Sequence, residues 1–334
     1  MADEIKKIGG QQIQGAPIAF ATDELSACGK CGRDNAPNRT ACIYCGAELT
    51  IRDEYISRAK VAANDLDADE LGWNIVARVG GFRSGDSHKE LESLGVLAAD
   101  IVGLGDSDTV VPIARFATEQ AAALAQKRLS SFPTALVSDE MFEIEKPSIR
   151  ISRIEFDGDH LEFTNFNRNT TESRPIADVA AVVLGTLRTF KTTTFEKRGI
   201  RKKSTVTDET SDDRDSQTLE LHFKRSSTPF AVHSTGFDFS ILGSERSLLA
   251  AENFERLAAK LGELARQARI VTDYSSFRNV LSGPWPESSR TDGLGRVQTG
   301  IGQRRYGRTA TIDNKLQFLK FSRLQALDLN ELKR

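Results

Sequence analysis

Four cysteines stand between residues 28 and 45, in the stretch CGKCGRDNAPNRTACIYCG, and the other residues of the 334-residue chain include none. The spacing is Cys28-x2-Cys31, ten residues, then Cys42-x2-Cys45. Two residues between thiols let a tight turn aim both sulfurs at one point. Gly32 and Gly46 follow the second cysteine of each pair, and glycine there permits the left-handed backbone of such a turn. Asn35, Pro37 and Asn38 bring turn chemistry to the segment between the pairs. Two pairs supply four thiolates, the donor set of tetrahedral Zn²⁺ with Zn–S near ~2.3 Å. In a reducing cytosol, cysteines clustered in this way point to a metal rather than to disulfides. The spacing therefore predicts one structural zinc held by Cys28, Cys31, Cys42 and Cys45. Iron on the same sulfurs is the alternative, because a soft S₄ site does not by itself separate the two metals.

The same residues resemble the short zinc ribbons found near the N-termini of many bacterial multidomain proteins. The resemblance covers residues 25–50 and implies a metal closed by four cysteines, with no open position for chemistry. Zinc fingers of the Ran-binding-protein-2 type share the spacing, and they too place an Asn four residues after the second cysteine, where Asn35 stands. Those fingers carry a Trp shortly before the first cysteine, where this chain has Ser26 and Ala27. Their ubiquitin-binding members carry Thr-Phe after the second cysteine, where this chain has Gly32 and Arg33. Both departures weigh against RNA or ubiquitin recognition through this segment.

Composition bounds the rest. Lys and Arg total 45 against 47 Asp and Glu, a net charge of −2. That excludes a chain-wide polybasic or polyacidic role and leaves local patches open. With 39% hydrophobic and 28% charged residues, the chain reads as globular rather than disordered, and its length fits two or three domains. Residues 1–15 hold no apolar core of signal-peptide length. The longest apolar stretch, residues 176–187, is interrupted by Asp178 and falls short of the roughly 20 residues that span a bilayer. These features predict a soluble, cytoplasmic protein without a transmembrane segment.

The pattern along the chain predicts an α+β multidomain protein. Its expected parts are a flexible tail (1–24), the zinc ribbon (25–50), a helix and linker (51–70), a small ferredoxin-like α/β domain (71–142), an antiparallel β-rich domain closed by an amphipathic helix (147–270) and a basic C-terminal extension (271–334). In the α/β domain, strands are expected at 73–79, 110–114 and 134–137. A helix N-capped by Thr118, with Glu119 in its first turn, lies between the last two. Ala121, Leu124, Ala125 and Leu129 form its apolar stripe. Residues 88–102 would supply the first crossover. The stretch VPIARFATEQAAALAQKRL with the following TALVSDE also resembles small bacterial βαβ modules thought to act in signalling.

In the β-rich domain, alternation over 149–156, the Asp157-Gly158 turn and the run 161–163 predict a hairpin. Further strands are expected at 176–187, 190–195, 219–223 and 230–232. A helix over 245–268 carries the stripe Phe254, Leu257, Leu261, Leu264 and Ala268. Antiparallel strands closed by one helix resemble a pleckstrin-homology-like barrel, although the Trp usual in that family's terminal helix is missing and Trp285 lies beyond it. Residues 293–308 read as loosely structured, and 312–332 as a docked strand with a short helix. No convincing internal repeat stands out.

Two further features are candidates for partner binding. The segment 195–216 reads as a charged loop. Lys197, Arg198, Arg201, Lys202 and Lys203 form its basic half, and Asp208, Glu209, Asp212, Asp213 and Asp215 its acidic half. The halves nearly cancel, which fits a solvated hairpin extension; the sharper reading is a docking loop whose basic half meets phosphates or acidic protein. Arg304, Arg305 and Arg308 flank Tyr306, which offers a face for stacking on a base. For catalysis, His88, His160, His222 and His233 fall in no known motif, and GxSxG, HExxH and P-loop patterns are absent. Gly300-Ile301-Gly302 is followed by Arg305, where a dinucleotide fingerprint needs Gly or Ala. The sequence thus points to a non-catalytic scaffold or adaptor with a protein partner. A nucleic-acid-associated regulator is the first alternative, and membrane-surface recruitment through the pleckstrin-like part is the second.

Overall fold

A computed structural model describes residues 20–52, 54–55, 63, 66–81, 85–94, 96, 101, 108–129, 132–198, 204–300 and 303–327, with short strands at 7–8 and 11–12. Helices and several sheets make it α+β. The chain divides into two compact units, Met1–Val61 and Ala62–Arg334. Among the described residues no helix is long and apolar enough to cross a membrane.

In the first unit β1 (Lys7–Ile8) pairs with β2 (Gln11–Gln12), and β3 (Ser26–Ala27) with β4 (Asp34–Asn35). The tail expected over 1–24 is structured at its end. The Phe20 ring meets Tyr55 edge-on at 6.1 Å, and the Tyr55 hydroxyl donates to Glu24 at 2.8 Å. The helix expected within 51–70 falls largely outside the described residues.

In the second unit, two short runs buried almost throughout and a third that alternates make a three-stranded antiparallel sheet. Its strands are β5 (Trp73–Arg78), β6 (Val110–Phe116) and β7 (Thr134–Ser138), in the order β6-β5-β7. Helix α1 (Gly85–Ser93) lies between the first two strands in sequence, and α2 (Glu119–Gln126) between the last two. The Thr118 hydroxyl caps α2 by accepting from the Ala121 N–H. Its buried face is Ala122, Leu124 and Ala125, one residue round from the expected stripe at Ala121.

A nine-stranded sheet follows. Its strands are β8 (Ile149–Asp157), β9 (His160–Asn165), β10 (Thr171–Pro175), β11 (Val179–Arg198), β12 (Ser204–Phe223), β13 (Phe230–His233), β14 (Arg269–Val271), β15 (Ser288–Gly300) and β16 (Gln303–Asp313). The order is β10-β9-β8-β13-β12-β11-β16-β15, with β14 parallel to β11. Inward residues of β8, β9, β11, β12 and β13 form one core with Phe254, Leu257 and Leu261 of helix α3 (Ala250–Leu264). Within it Phe163 stacks on Phe230 at 4.4 Å, and both meet Phe223 edge-on.

Three expectations are corrected here. The helix read over 245–268 is α3, shorter at both ends. Gly243 breaks the preceding 3-10 turn with a φ of 54°, and the buried Asn253 holds the entry bent by bonding both the N–H and C=O of Ser247. Of the charged segment 195–216, residues 195–198 and 204–216 are paired strand, as a hairpin extension requires, rather than loop: β11 and β12 pair along nearly their whole length. Its Thr-rich, two-sided polar pattern hid strands that β-branched residues favour. Residues 293–300 and 303–308 likewise form most of the paired length of β15 and β16. The basic extension expected from 271 onward therefore supplies two strands to the sheet, and then a buried helix.

A short helix, α4 (Arg278–Ser282), precedes β15, and the buried helix that follows β16, α5 (Lys315–Ala326), packs against β11 and β12 and against β6 and the 139–142 turn. A helix buried on all faces is normally apolar throughout, yet Gln317, Lys320, Ser322, Arg323 and Gln325 are all buried. Each has a partner. Gln317 donates to the Trp285 C=O and accepts from Tyr274. Gln325 bonds both the N–H and C=O of Val110. Arg323 donates to the carbonyls of Phe142, Glu143 and Lys146. Lys320 and Arg115 converge on Asp139, at 3.2 and 2.6 Å. The close approach of α5 to β11 depends on Gly185, where a Cβ would overlap the Phe318 ring.

Candidate metal centre

Each Cys-x-x-Cys pair sits in a small turn closed by the backbone. In the first, the Cys28 N–H donates to the Arg33 C=O at 2.9 Å and the Gly32 N–H to the Cys28 C=O at 2.8 Å. In the second, the Cys42 N–H donates to the Ala47 C=O at 2.8 Å and the Gly46 N–H to the Cys42 C=O at 2.9 Å. Ala27 pairs with Asp34 beside the first turn, and Ala41 with Glu48 beside the second. Every partner in the second turn lies fourteen residues beyond its counterpart in the first. CGKCGRD and CIYCGAE are thus one seven-residue turn used twice, a repeat too short to be evident in the sequence. Gly32 and Gly46 hold φ of +68° and +71°, the left-handed region that favours glycine.

The two turns bring their sulfurs to one point. Cys28 and Cys45 are 3.6 Å apart, as are Cys31 and Cys42. All four sulfurs lie within 4.8 Å of one another. A disulfide needs about 2.05 Å, so these are four separate thiols. A tetrahedron with metal–sulfur bonds of about 2.3 Å has edges of roughly 3.8 Å. The donor set and its spacing fit a metal ion, as the sequence predicted for these four residues. Cys28 and Cys42 are buried, whereas Cys31 and Cys45 face outward. Behind them, Cys28 and Cys42 pack with Leu49 and Ala47 in a small apolar cluster.

Local dipoles already favour thiolate at two sulfurs. Backbone N–H groups of Cys31 and Lys30 lower the Cys28 thiol. At Cys42 burial opposes ionisation, but the Tyr44 and Cys45 amides and the Asn35 side chain outweigh it and bring the thiol down to about 6. At Cys31 the Arg33 amide favours thiolate, yet burial and the other three sulfurs push the thiol up to about 11. A cation among the four would favour every thiolate at once.

Asn35 does more than shape the turn between the pairs. Its side chain is buried, and Nδ2 donates to the Arg33 C=O at 2.9 Å and to the Cys42 sulfur at 3.4 Å. Its Oδ1 accepts from the Ile43 N–H at 3.0 Å. One amide therefore ties the first turn to the second and orients a ligand sulfur, a role that partners of metal ligands commonly have. Ile43 and Tyr44, the two residues inside the second pair, are 55% and 52% exposed, and the Arg33 guanidinium lies 4.8 Å over the Tyr44 ring.

The other candidate residues are distributed differently from the sequence reading. Lys197 and Arg198 close β11, while Arg201, Lys202 and Lys203 lie outside the described residues. The acidic half does not face the basic half. Asp208 pairs in register with Phe195, Asp212 with Lys191 and Asp215 with Arg188, whereas Lys197 and Arg198 face Thr205 and Ser204. Arg304, Arg305 and Arg308 are in β16, where Arg308 is engaged by Glu196 at 3.0 Å and donates to Thr194. Of the histidines, His222 is buried, with Nε2 2.8 Å from the Ser322 hydroxyl and 3.6 Å from Glu220. A Ser-His-acid relay needs the serine and the acid on opposite ring nitrogens. Both partners meet Nε2 here, so the cluster is a buried hydrogen-bonded contact between β12 and α5. The chain matches no protein-family model, no curated protein and no solved structure.

Proposed function

We propose that residues 25–50 form a zinc ribbon with one structural Zn²⁺, and that the protein is a non-catalytic adaptor or scaffold that binds another protein. The observation that carries this reading is the convergence of four cysteine sulfurs from two matched turns. All four positions of a tetrahedral ion are then filled by the chain, with none left for water or substrate. The metal holds the ribbon folded and presents its surface, and Ile43 and Tyr44 are the apolar part of that surface.

The finer domain reading rests on the strand path. β8, β9 and β10, then β11, β12 and β13, follow one another as neighbours. Among the described residues the path is open between β10 and β11 and joined by the parallel β8–β13 pair. With α3 closing it, this path supports a pleckstrin-homology-like barrel.

The test has two arms. Elemental analysis should give about one zinc per chain. The Ile43→Ser/Tyr44→Ser variant should keep its zinc but lose the partner that the wild-type chain retains on affinity purification from its native cell. No retained partner, or equal retention by the variant, overturns the adaptor role of the ribbon. DNA or RNA binding that weakens steeply across a salt series would favour a nucleic-acid role instead.

A further inference from the structure

Strands β12, β11, β16 and β15 run side by side at one end of the large sheet, and its two outer edges are built differently. β13 pairs with β12 only over Thr218–Leu221. The chain then turns away through Gly236, which takes a φ of +77° and lies against the Phe166 ring. From 208 to 217, β12 has no strand on that side among the described residues, while its pairing with β11 runs unbroken from Asp208↔Phe195 to Gln217↔Thr186. Every second N–H and C=O along this run points outward. Ten residues of strand offer about 34 Å of regular, exposed edge.

The edge of β15 is also outermost, but it is broken. Register shifts fall between Gly293 and Gly295 and between Gln298 and Gly300. Bulges and glycines of this kind close an edge to further pairing. Between 208 and 217, β12 has no bulge. It is charged instead, with Asp208, Glu209, Asp212, Asp213 and Asp215 against Arg214. Like charges set opposite one another are destabilising, so two copies of this edge repel each other. A strand of opposite sign meets no such barrier. Arg188 holds Asp213 at 2.8 Å and Arg214 holds Asp212 at 2.9 Å. Asp208, Glu209 and Asp215 are exposed and form no ion pair among the described residues. By strand alternation Asp208 lies on one face of the sheet, and Glu209 and Asp215 on the other.

We propose that the free edge of β12 over residues 208–217 takes an extended, basic segment of a partner protein as an added strand. The incoming chain continues the lane that β13 leaves. Backbone hydrogen bonds supply the attraction common to strand addition, and the unpaired carboxylates select Lys and Arg beside the edge. The inference rests on the adaptor reading for the existence of a protein partner, but not on the ribbon.

The test uses the full chain and a synthetic ten-residue peptide of alternating lysine and threonine, capped at both ends. The peptide should bind and raise amide-exchange protection within 208–217. N-methylation of all its backbone amides, which removes the donors but keeps the charge, should weaken binding at least tenfold. So should Asp208→Asn/Glu209→Gln/Asp215→Asn in the protein, whose circular dichroism should match wild type. No binding of the parent peptide, equal binding of the N-methylated one, or protection appearing elsewhere overturns the proposal. None of these outcomes depends on the variant at Ile43 and Tyr44, so failure here is distinct from failure of the ribbon's role.

Discussion

The ribbon and helix α5 both bury chemistry that a protein interior usually excludes, and they do so by opposite means. In the ribbon, four thiols from one stretch of eighteen residues converge, and their whole logic is local. In α5, five buried polar side chains find partners far away in the chain: Val110 for Gln325, Asp139 for Lys320, His222 for Ser322. Local chemistry of the first kind would be broken by removing the one ion proposed there. The second kind is spread over many hydrogen bonds, and breaking any one leaves a specific group stranded.

The largest effect should come from the ribbon. Cys28→Ser/Cys42→Ser should abolish metal binding, and with it the order of the first unit, because structural zinc contributes about 10–16 kcal/mol that is also folding free energy. Elemental analysis and amide exchange over residues 26–49 check this. Protection surviving without metal would erase the contrast.

Next is Asp139→Ala. One carboxylate there accepts from Arg115, Lys320, Asn74 and the Gly72 N–H. Removing it leaves two buried cations without a counter-charge, which should cost about 3–5 kcal/mol in denaturant unfolding. Lys320→Met should cost clearly less. Burial already disfavours the charged amine and lowers its pKa, and the Arg115–Asp139 pair stays intact. Equal losses from the two variants would refute a cluster centred on Asp139.

A smaller effect returns to the ribbon. Asn35→Ala should keep the fold but weaken metal affinity about 10–100-fold, as loss of a partner to a metal ligand does. Competition with a chelator measures it.

The smallest effect is one of pH. Burial lowers the pKa of His233, nearby Arg150 and Lys315 add to this, and Glu220 opposes it. The unfolded chain therefore binds the proton more readily than the folded one. The contribution of His233 is complete above its unfolded pKa of about 6.5 and is lost as pH falls from there towards the folded value. Thermal unfolding at pH 8 and pH 5.5 should show a smaller drop for His233→Gln than for wild type.

How far the sequence could be read follows the same division. Cysteine spacing and the two glycines are local signals, and they located the candidate metal centre to the residue. Thr118 as a helix cap and the stripe of α3 were legible for the same reason: capping and helical periodicity act within a few residues. Asn35 was visible as a turn residue, but its bond to the Cys42 sulfur depends on the second turn folding back. The charged part of the β11–β12 hairpin was legible as a hairpin extension but not as paired strand, because both its faces are polar beyond the core, which removes the alternation that marks a half-buried strand. Helix α5 was read as a docked segment. Its buried Lys320 and Arg323 look like surface residues until Asp139 and the carbonyls of the 142–146 turn stand beside them.

The central claim is that four cysteines hold one zinc that keeps the ribbon folded. The most direct measurement combines metal content and thiol reactivity on the purified full chain, before and after treatment with a strong chelator. The account predicts one zinc per chain and four unreactive thiols at first, then no zinc, four reactive thiols and lost amide protection over residues 26–49. Iron in place of zinc, or four thiols reactive from the start in a ribbon that stays protected, would contradict it.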